Sequence, residues 1–274
     1  MKWLTLNIHS WMEEQTEEKL DILANFILSN DLDGISLQEV NQRIDATVEE
    51  QPFQYIPSSN ETTIIKKDNY ALCLVKRLAD LGASYYWSWT FSHIGYDVFE
   101  EGVAILSKTP MTSQAVLVSS VNDTSDIRRR MMLCSKVIIN NQKVLVTSNH
   151  YSWWCDDAQE GFQLEWRLSS QVFNQEPGLK LVFGDFNGPD TRRNETYDLV
   201  TESFFDTFKL SKQSNGYNTI PEKIDGWEHS SEQLRVDYAF ASDKLSVKMH
   251  EVVFDGKTYP SVSDHYGVVV SIDL

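Results

Sequence analysis

The chain of 274 residues has a hydrophobic fraction of 41% and a charged fraction of 23%. These values argue against a disordered chain and permit a sizeable core. Its formal net charge of −16 repels polyanions over long range, which argues against a nucleic acid as the partner and favours a small substrate.

Cysteine usage and the absence of long apolar segments predict the compartment. Cys73, Cys134 and Cys155 are widely spaced and match no metal-binding pattern, and such thiols are typical of a reducing environment. The first residues lack the apolar core of a signal peptide, and no segment reaches the ~18 apolar residues of a membrane span. We therefore expect a cytoplasmic protein with no membrane partner.

Apolar periodicity predicts a mixed α and β chain. In chain order, strands are expected at residues 3–8, 35–38, 103–107, 115–119, 133–139, 143–148, 181–184, 236–241, 247–254 and 268–272. Helices are expected at residues 16–28, 70–81, 158–173 and 195–203. The pair Asn140-Asn141 predicts a hairpin turn. No repeat or linker interrupts the chain, which favours one domain over residues 1–274.

The most informative pattern is a polar residue at or beside the end of one apolar segment after another. The residues are Asn7, Glu39, Glu101, Asn149, His150, Asp185, Asn187, Asp237, Asp264 and His265. Taken singly, each has an ordinary explanation as a turn residue or a solvated charge. In α/β folds, however, ligands bind outside strand ends, where such side chains converge. Their joint occurrence predicts a functional site.

Oxygen ligands in this set suit a hard cation. Mg²⁺ binds carboxylate and amide oxygens, keeps several waters and uses only one or two protein carboxylates besides a substrate phosphate. Glu39 and Asp264 suit the metal, and Asp185 suits the positioning of a water molecule. Together they predict hydrolysis of a phosphate ester.

Two histidines complete the predicted chemistry. A histidine held by a carboxylate can donate a hydrogen bond to phosphate or transfer a proton. His150 and His265 suit this role, and Glu101 and Asp237 could orient them.

The motifs LQEV, GVAILS, the strand that ends in Asn149-His150, GDFN, RVDYAF and SDH occur in this order. In this arrangement the chain resembles the endonuclease/exonuclease/phosphatase superfamily, which includes DNase I-like nucleases, neutral sphingomyelinases and inositol phosphate phosphatases. The resemblance extends from Asn7 to His265. It implies a four-layered α/β sandwich, with two packed mixed β-sheets flanked by helices.

The resemblance also implies roles for the metal and the water. It makes Glu39 the main Mg²⁺ ligand, supported by Asn7 and Asp264, with Mn²⁺ as an alternative ion. It makes Asp185 the residue that activates or aligns the attacking water, with Asn187 beside it.

For the phosphate, the resemblance implies contacts from His150 and His265. Glu101 is expected to pair with His150, and Asp237 with His265. The identity of the general base and the number of metal ions stay open.

Three longer segments narrow the resemblance. MKWLTLNIHSW, FSHIGYDVFEEGVAILS and NHYSWWCDDAQEGFQLEW are similar to the bacterial branch that includes maltose 6′-phosphate phosphatase. The implied activity is Mg²⁺-dependent hydrolysis of a small sugar phosphate such as maltose 6′-phosphate. A DNase-like nuclease and, ranked lower, a sphingomyelinase-like lipid phosphodiesterase are the alternatives.

Substrate contacts are expected from the residues after His150. Trp153 and Trp154 could offer flat faces to a sugar ring, or could pack the domain, and Asp156 could accept hydroxyl hydrogen bonds. Packing is the favoured interpretation for the aromatic cluster at residues 87–93.

The one dense basic run is Arg128-Arg129-Arg130. Arg128 and Arg130 are candidates to receive the phosphate of a monoester. The other explanation is an exposed turn, and we expect one arginine to face the site and the others to be solvated.

Overall fold

The computed structural model describes residues 1–224, 226–227, 230 and 232–274. In these residues the first sheet contains, in spatial order, β10 (Ser214–Asn215), β12 (Ser246–Val253), β13 (Gly267–Asp273), β1 (Lys2–Asn7), β2 (Gly34–Arg43), β4 (Phe99–Ser107) and β3 (Tyr86–Gly95). The second contains β5 (Met111–Leu117), β6 (Met131–Ile139), β7 (Gln142–His150), β8 (Leu179–Asp185), β11 (Asp237–Ala241) and β9 (Phe205–Asp206). Both sheets are mixed. In the first sheet β1 and β2 are parallel, as are β10 and β12, and in the second sheet β7 and β8 are parallel. The remaining neighbours are antiparallel.

Alternation along the strands explains why the two sheets pack face to face. Trp3 points to the second sheet and stacks on Phe183, with ring centroids 5.8 Å apart. Its neighbours Leu4 and Leu6 point to the opposite face. Each large apolar side chain buried in this way contributes about 1.5–3 kcal/mol. The inner faces therefore form a central core.

Helices cover the outer faces of both sheets. The helices are α1 (Thr16–Ser29), α2 (Tyr70–Asp80), α3 (Gly161–Gln175), α4 (Thr196–Thr201) and α5 (Thr207–Leu210). In α1, Leu20, Leu23 and Ile27 recur at helical spacing and are buried against the first sheet. In α3, Phe162 and Trp166 are buried against the second sheet. The predicted four-layered α/β sandwich is confirmed.

Most predicted elements are present, but the short strands β9 and β10 and the short helix α5 were not predicted, and β5 begins at Met111 rather than at residue 115. Strand β3 was not predicted, because its aromatic run was interpreted only as a packing cluster; Trp87 and Trp89 are indeed fully buried. Helix α3 begins at Gly161, three residues later than expected. The hairpin at Asn140-Asn141 is confirmed, since both residues have positive φ angles of 50° and 63°, as a type I′ turn requires.

The parallel pairs bring their carboxyl ends to one edge of the sandwich. In the first sheet Asn7 is paired with Gln38, and in the second His150 is paired with Asp185. This edge is where the polar strand-end residues meet. In the part of the chain that the structure describes, no helix has both the length and the apolar composition needed to cross a bilayer.

Candidate active site

A cavity of about 310 Å³ opens at this edge. Its described lining includes nine of the residues expected from the sequence, namely Glu39, Glu101, Arg130, His150, Trp153, Asp185, Asn187, Asp264 and His265. Asn7 and Asp237 are fully buried beside these residues and contact them directly. The structure therefore brings together residues that are up to 258 positions apart, from Asn7 to His265.

Asp185 lies at the centre of the site, at the end of β8. Its Oδ1 accepts a hydrogen bond of 2.8 Å from the backbone N–H of Asn187, and its Oδ2 accepts one of 3.2 Å from Asn7 Nδ2. Its Oδ2 also lies 3.8 Å from Nε2 of both His150 and His265. Burial and the charge of Asp237 raise the pKa of Asp185 to about 7, although His265 opposes the shift. This carboxyl is placed to hold or orient a water molecule.

His265 is held by a carboxylate, as expected. Its Nδ1 lies 3.0 Å from Oδ2 of the fully buried Asp237. Burial alone lowers the pKa of His265, but Asp237, Asp185 and Asp264 outweigh it and raise the pKa to about 10. The imidazole is therefore protonated at neutral pH and can donate a hydrogen bond to a phosphate oxygen.

His150 is in the opposite protonation state. Burial and the positive charge of Arg130 lower its pKa well below the usual value. A neutral and a protonated imidazole thus lie on either side of Asp185, an arrangement that separates a proton acceptor from a donor.

The expected pairing of Glu101 with His150 is wrong. The antiparallel register of β3 and β4 places His93 opposite Glu101, and His93 Nε2 lies 3.4 Å from Glu101 Oε1. Burial and the charge of Glu39 raise the pKa of Glu101 to about 8, while burial and the charge of Arg130 lower that of His93 to about 4. The sequence signal for His93 was the alternation of aromatic residues that ends at this histidine.

Glu39 lies within β2 rather than at its end. The register of β2 against β4 shifts between Leu37 and Val40, and Glu39 has a φ of 51°, so an irregularity in the strand directs this side chain. Its Oε1 accepts a hydrogen bond of 2.8 Å from Asn7 Nδ2. The strand continues to Arg43, which the sequence did not indicate.

The donors around Glu39 fit a divalent cation. Burial and the charge of Asp264 raise the pKa of Glu39, although His9 opposes the shift, so these carboxylates repel one another in the absence of a cation. Oxygen donors from Glu39, Asp264 and Asn7 are those that Mg²⁺ prefers. A cation bound there supplies positive charge for a phosphate ester in its transition state.

Sequence reasoning missed His9 and Glu13. His9 Nδ1 lies 2.8 Å from Oε1 of Glu13 and 3.7 Å from Oδ1 of Asp264, and ligand atoms of the three lie within 4.8 Å of one another. Burial opposes protonation, but Glu13, Asp264 and Glu39 raise the pKa of His9 to about 9. The i, i+4 spacing of histidine and glutamate just after the first strand was an available signal.

A second set of three potential ligands consists of Asp185, Asp237 and His265. Their ligand atoms also lie within 4.8 Å of one another, and all three residues are buried. Within this set His265 Nδ1 lies 3.0 Å from Asp237 Oδ2, an arrangement suited to proton transfer.

The three consecutive arginines have different environments. Arg130 is 6% exposed and lines the cavity. Its Nε donates a hydrogen bond of 3.3 Å to Ser152 Oγ. Arg129 is buried, and its Nη1 donates a hydrogen bond of 2.9 Å to the carbonyl of Phe91. The expectation that this arginine is solvated is therefore wrong. Arg128 is exposed, bonds to Asp126 and lies outside the described lining of this cavity.

Trp153, Trp154 and Asp156 also have different environments. Trp153 is 42% exposed and lines the cavity, whereas Trp154 packs partly against the outer core of α3. Asp156 is exposed and is absent from the described lining of this cavity. Trp227, which the sequence reasoning did not select, forms part of the wall.

A two-sheet α/β sandwich with carboxylates, an amide and histidines gathered at its strand ends defines a hydrolase of phosphoester bonds. The model of the Endonuclease/Exonuclease/phosphatase family matches residues 10–265, and the chain belongs to this family. No match was found among functionally curated proteins.

Solved structures share the fold over the full chain. An endonuclease/exonuclease/phosphatase family protein from Leptotrichia buccalis C-1013-b has a TM-score of 0.86 at 28% identity, and all of both chains is covered. A mannosyl-6-phosphatase from Bacteroides thetaiotaomicron VPI-5482 has a TM-score of 0.70 at 15% identity, again with full coverage of both chains. A humanized TDP2 from D. rerio has a TM-score of 0.64 at 16% identity, with 100% of this chain and 99% of that chain covered.

Proposed function

We propose that the protein is a Mg²⁺-dependent phosphatase that releases inorganic phosphate from a small sugar phosphate such as maltose 6′-phosphate. The observation that carries this proposal is the position of Arg130, which lines the same cavity as His150 and His265. A guanidinium forms strong, paired hydrogen bonds with phosphate oxygens. A terminal phosphate carries more charge than a diester and benefits more from this group.

The shape of the cavity supports a small substrate. Its volume of about 310 Å³ lies at the lower end of small-molecule sites, and the described wall contains the aromatic side chains of Tyr96, Trp153 and Trp227. Such faces suit the C–H surface of a sugar ring. The net charge of −16 argues against nucleic acid as the partner.

The proposed reaction is in-line attack of water on the ester phosphorus. Asp185 orients the water, with Asn187 holding the adjacent loop through a 2.9 Å bond from Nδ2 to the carbonyl of Tyr151. The new P–O bond forms from the water oxygen as the bond to the sugar oxygen breaks, and one proton of the water passes through the acid–base groups of the site to the leaving sugar oxygen. His265 and His150 contact the phosphate, and Glu39, Asn7 and Asp264 would hold Mg²⁺ or Mn²⁺.

The proposal includes the location and the partners. The cysteines at residues 73, 134 and 155 are free thiols, which suits a reducing compartment. We therefore propose that the protein acts in the cytoplasm on a soluble phosphorylated substrate, without membrane or nucleic acid.

Phosphate release from monoesters tests the proposed reaction. Maltose 6′-phosphate and glucose 6-phosphate are compared with bis(p-nitrophenyl) phosphate and a DNA oligonucleotide, each with Mg²⁺ and with EDTA. We expect release from the monoesters that EDTA abolishes and that Asp185→Asn lowers at least about 10²-fold. Asp45→Asn makes the same change at an exposed position and is the matched control. Cleavage of the diester or the oligonucleotide without monoester hydrolysis would contradict the proposal and indicate a phosphodiesterase such as a nuclease.

Thermal unfolding tests the metal site without reference to activity. Because a ligand that binds only the folded state stabilises it, Mg²⁺ should raise the Tm of the wild type. Glu39→Gln should remove this increase, whereas Glu202→Gln, at an exposed position, should retain it. An equal increase in both variants would exclude Glu39 as the main ligand.

A further inference from the structure

A second cavity of about 270 Å³ adjoins the candidate active site. The two cavities share three lining residues, Ile127, Arg130 and Trp153. Beyond them, the second cavity is lined by side chains that include Ser120, Val121, Trp154, Glu160 and Glu165. Arg130 and Trp153 therefore stand between the site of the proposed chemistry and an adjoining pocket.

The wall between the two cavities is held by hydrogen bonds on both sides. The backbone N–H of Tyr151 donates to the carbonyl of Asp185 at 2.9 Å, and that of Ser152 donates to Glu165 Oε2 at 2.7 Å. Trp153 follows directly, and its carbonyl accepts a 3.2 Å bond from the N–H of Phe162. The orientation of the wall is thus linked to Asp185 on one side and to α3 on the other.

Glycine is required where this wall meets α3. Gly161 has a φ of 53°, and a Cβ atom there would lie 2.8 Å from the carbonyl oxygen of Trp153. The backbone approaches closely because no side chain intervenes. This close packing holds the wall against α3, and an ordered wall lowers the entropic cost of binding a ligand.

The lining combines apolar faces with a few hydrogen-bonding groups. Trp153 is 42% exposed and Ile127 is 60% exposed, so both present apolar surface to the solvent. Arg130 and Glu165 are 6% and 1% exposed and supply a buried guanidinium and carboxylate, and Ser120 adds a hydroxyl at the rim. A sugar ring has complementary chemistry, with apolar C–H faces and hydroxyl groups at its edge. A fatty chain would leave the two charged groups unused.

From these observations we infer that the second cavity is the subsite for a sugar unit distal to the phosphorylated one. The substrate class is then a disaccharide phosphate, whose phosphate lies beside His150 and His265 and whose second ring lies beyond Arg130 and Trp153. This inference rests on the proposed sugar-phosphate phosphatase activity, and it adds which substrate length the enzyme selects.

Kinetics with one-ring and two-ring substrates test the inference. Ser120→Trp fills the second cavity from its rim, and Thr112→Trp places the same side chain at an exposed position of β5 that is absent from the described lining of either cavity. For Ser120→Trp, kcat/KM should fall at least about ten-fold more for maltose 6′-phosphate than for glucose 6-phosphate, chiefly through KM, a difference of about 1.4 kcal/mol. Thr112→Trp should affect both substrates alike. Equal losses for both substrates in Ser120→Trp would overturn the inference.

Binding of maltose itself provides a readout that does not depend on hydrolysis. Titration calorimetry of the full-length wild type should detect maltose, and Ser120→Trp should weaken the binding at least about ten-fold relative to Thr112→Trp. Monoester hydrolysis without maltose binding or a length preference would reject the subsite and leave the phosphatase proposal standing. Maltose binding without hydrolysis of any monoester would reject the proposed function and leave the sugar site.

Discussion

Gln38 donates a hydrogen bond of 2.9 Å from Nε2 to Oγ of Ser148, from β2 in the first sheet to β7 in the second. Ser148 Oγ in turn donates to the backbone carbonyl of Leu37 at 2.7 Å. Glu39 directly follows Gln38, and His150 lies two residues after Ser148. These bonds therefore hold the two sheets in register where a proposed metal ligand and a proposed phosphate contact meet.

Replacing Ser148 with alanine should impair both stability and activity. Gln38 loses its acceptor and Leu37 its donor, which should cost about 1–3 kcal/mol in the free energy of unfolding. Because small displacements of reacting groups reduce rates strongly, kcat for phosphate release should fall at least about ten-fold. Urea unfolding and steady-state kinetics measure the two effects.

Ser135→Ala is the matched control, since its hydroxyl lies 2.8 Å from that of Ser113 within the second sheet. Ser135→Ala should lower the free energy of unfolding by a similar amount with little change in kcat. Equal activity of Ser135→Ala and Ser148→Ala would show that the bond between the sheets has no role in positioning the site.

Asp237→Asn should lower turnover while preserving the fold. The amide has nearly the same shape as the carboxylate, but it removes the charge that holds His265 in its protonated state. We expect kcat to fall about 10²-fold, the usual scale for one acid–base group, with a smaller change in KM. Asp243→Asn, on the surface, is the control. A kcat close to that of the wild type would remove His265 from the proposed chemistry.

Gly184→Ala should destabilise the protein severely. Gly184 has a φ of 150°, and a Cβ atom there would lie 2.0 Å from the carbonyl oxygen of Asn149 on the neighbouring strand. Since backbone cannot move aside as a flexible side chain can, we expect a loss of at least about 3 kcal/mol in the free energy of unfolding, measured with urea.

Gly82→Ala separates the effect of space from that of conformation. Gly82 also has a positive φ, of 86°, but open space surrounds its Cβ position. Replacing Gly82 with alanine should lower the free energy of unfolding by about 1 kcal/mol. Similar losses at both glycines would contradict the steric explanation.

His250 should make the protein less stable in acid. Burial lowers the pKa of His250 to about 3, and the charge of Arg235 contributes to the shift. An unfolded chain binds a proton at this residue near pH 6.5. As pH falls from about 6.5 towards 3, the unfolded state therefore takes up more protons than the folded state, and the free energy of unfolding decreases.

His250→Asn retains a donor for Thr207 Oγ1, which lies 3.1 Å from Nδ1 of His250, but it does not titrate. Compared with the wild type, this variant should lose less stability on acidification, by about 1.4 kcal/mol per pH unit below 6.5. Urea unfolding between about pH 7.5 and about pH 4.5 measures the difference. Parallel decreases in both proteins would refute the assignment.

The sequence by itself determined most of the strands and helices and much of the candidate site, whereas the layers of the fold were implied by the resemblance to a known family. Alternating apolar residues identified most of the long strands, because a strand with one buried face must repeat every second residue. The Asn140-Asn141 turn could be predicted from local backbone preferences alone. Polar residues beside the ends of apolar segments indicated Asp185, at the end of β8, and His265, just before β13. Parallel strands bring their carboxyl ends to one edge, and the antiparallel β13 brings its amino end to the same edge.

Only the tertiary structure decided which of these residues contact one another. Glu101 contacts His93 rather than His150 because of the register between β3 and β4, and Glu39 lies within β2 because of an irregularity in that strand. Among the three arginines, the turn before β6 directs only Arg130 into the candidate site. These contacts depend on pairings between distant segments. Alternation of apolar residues fixes which face of a strand is buried but not which residue of a distant strand lies opposite, because a shift of two residues keeps the same face buried.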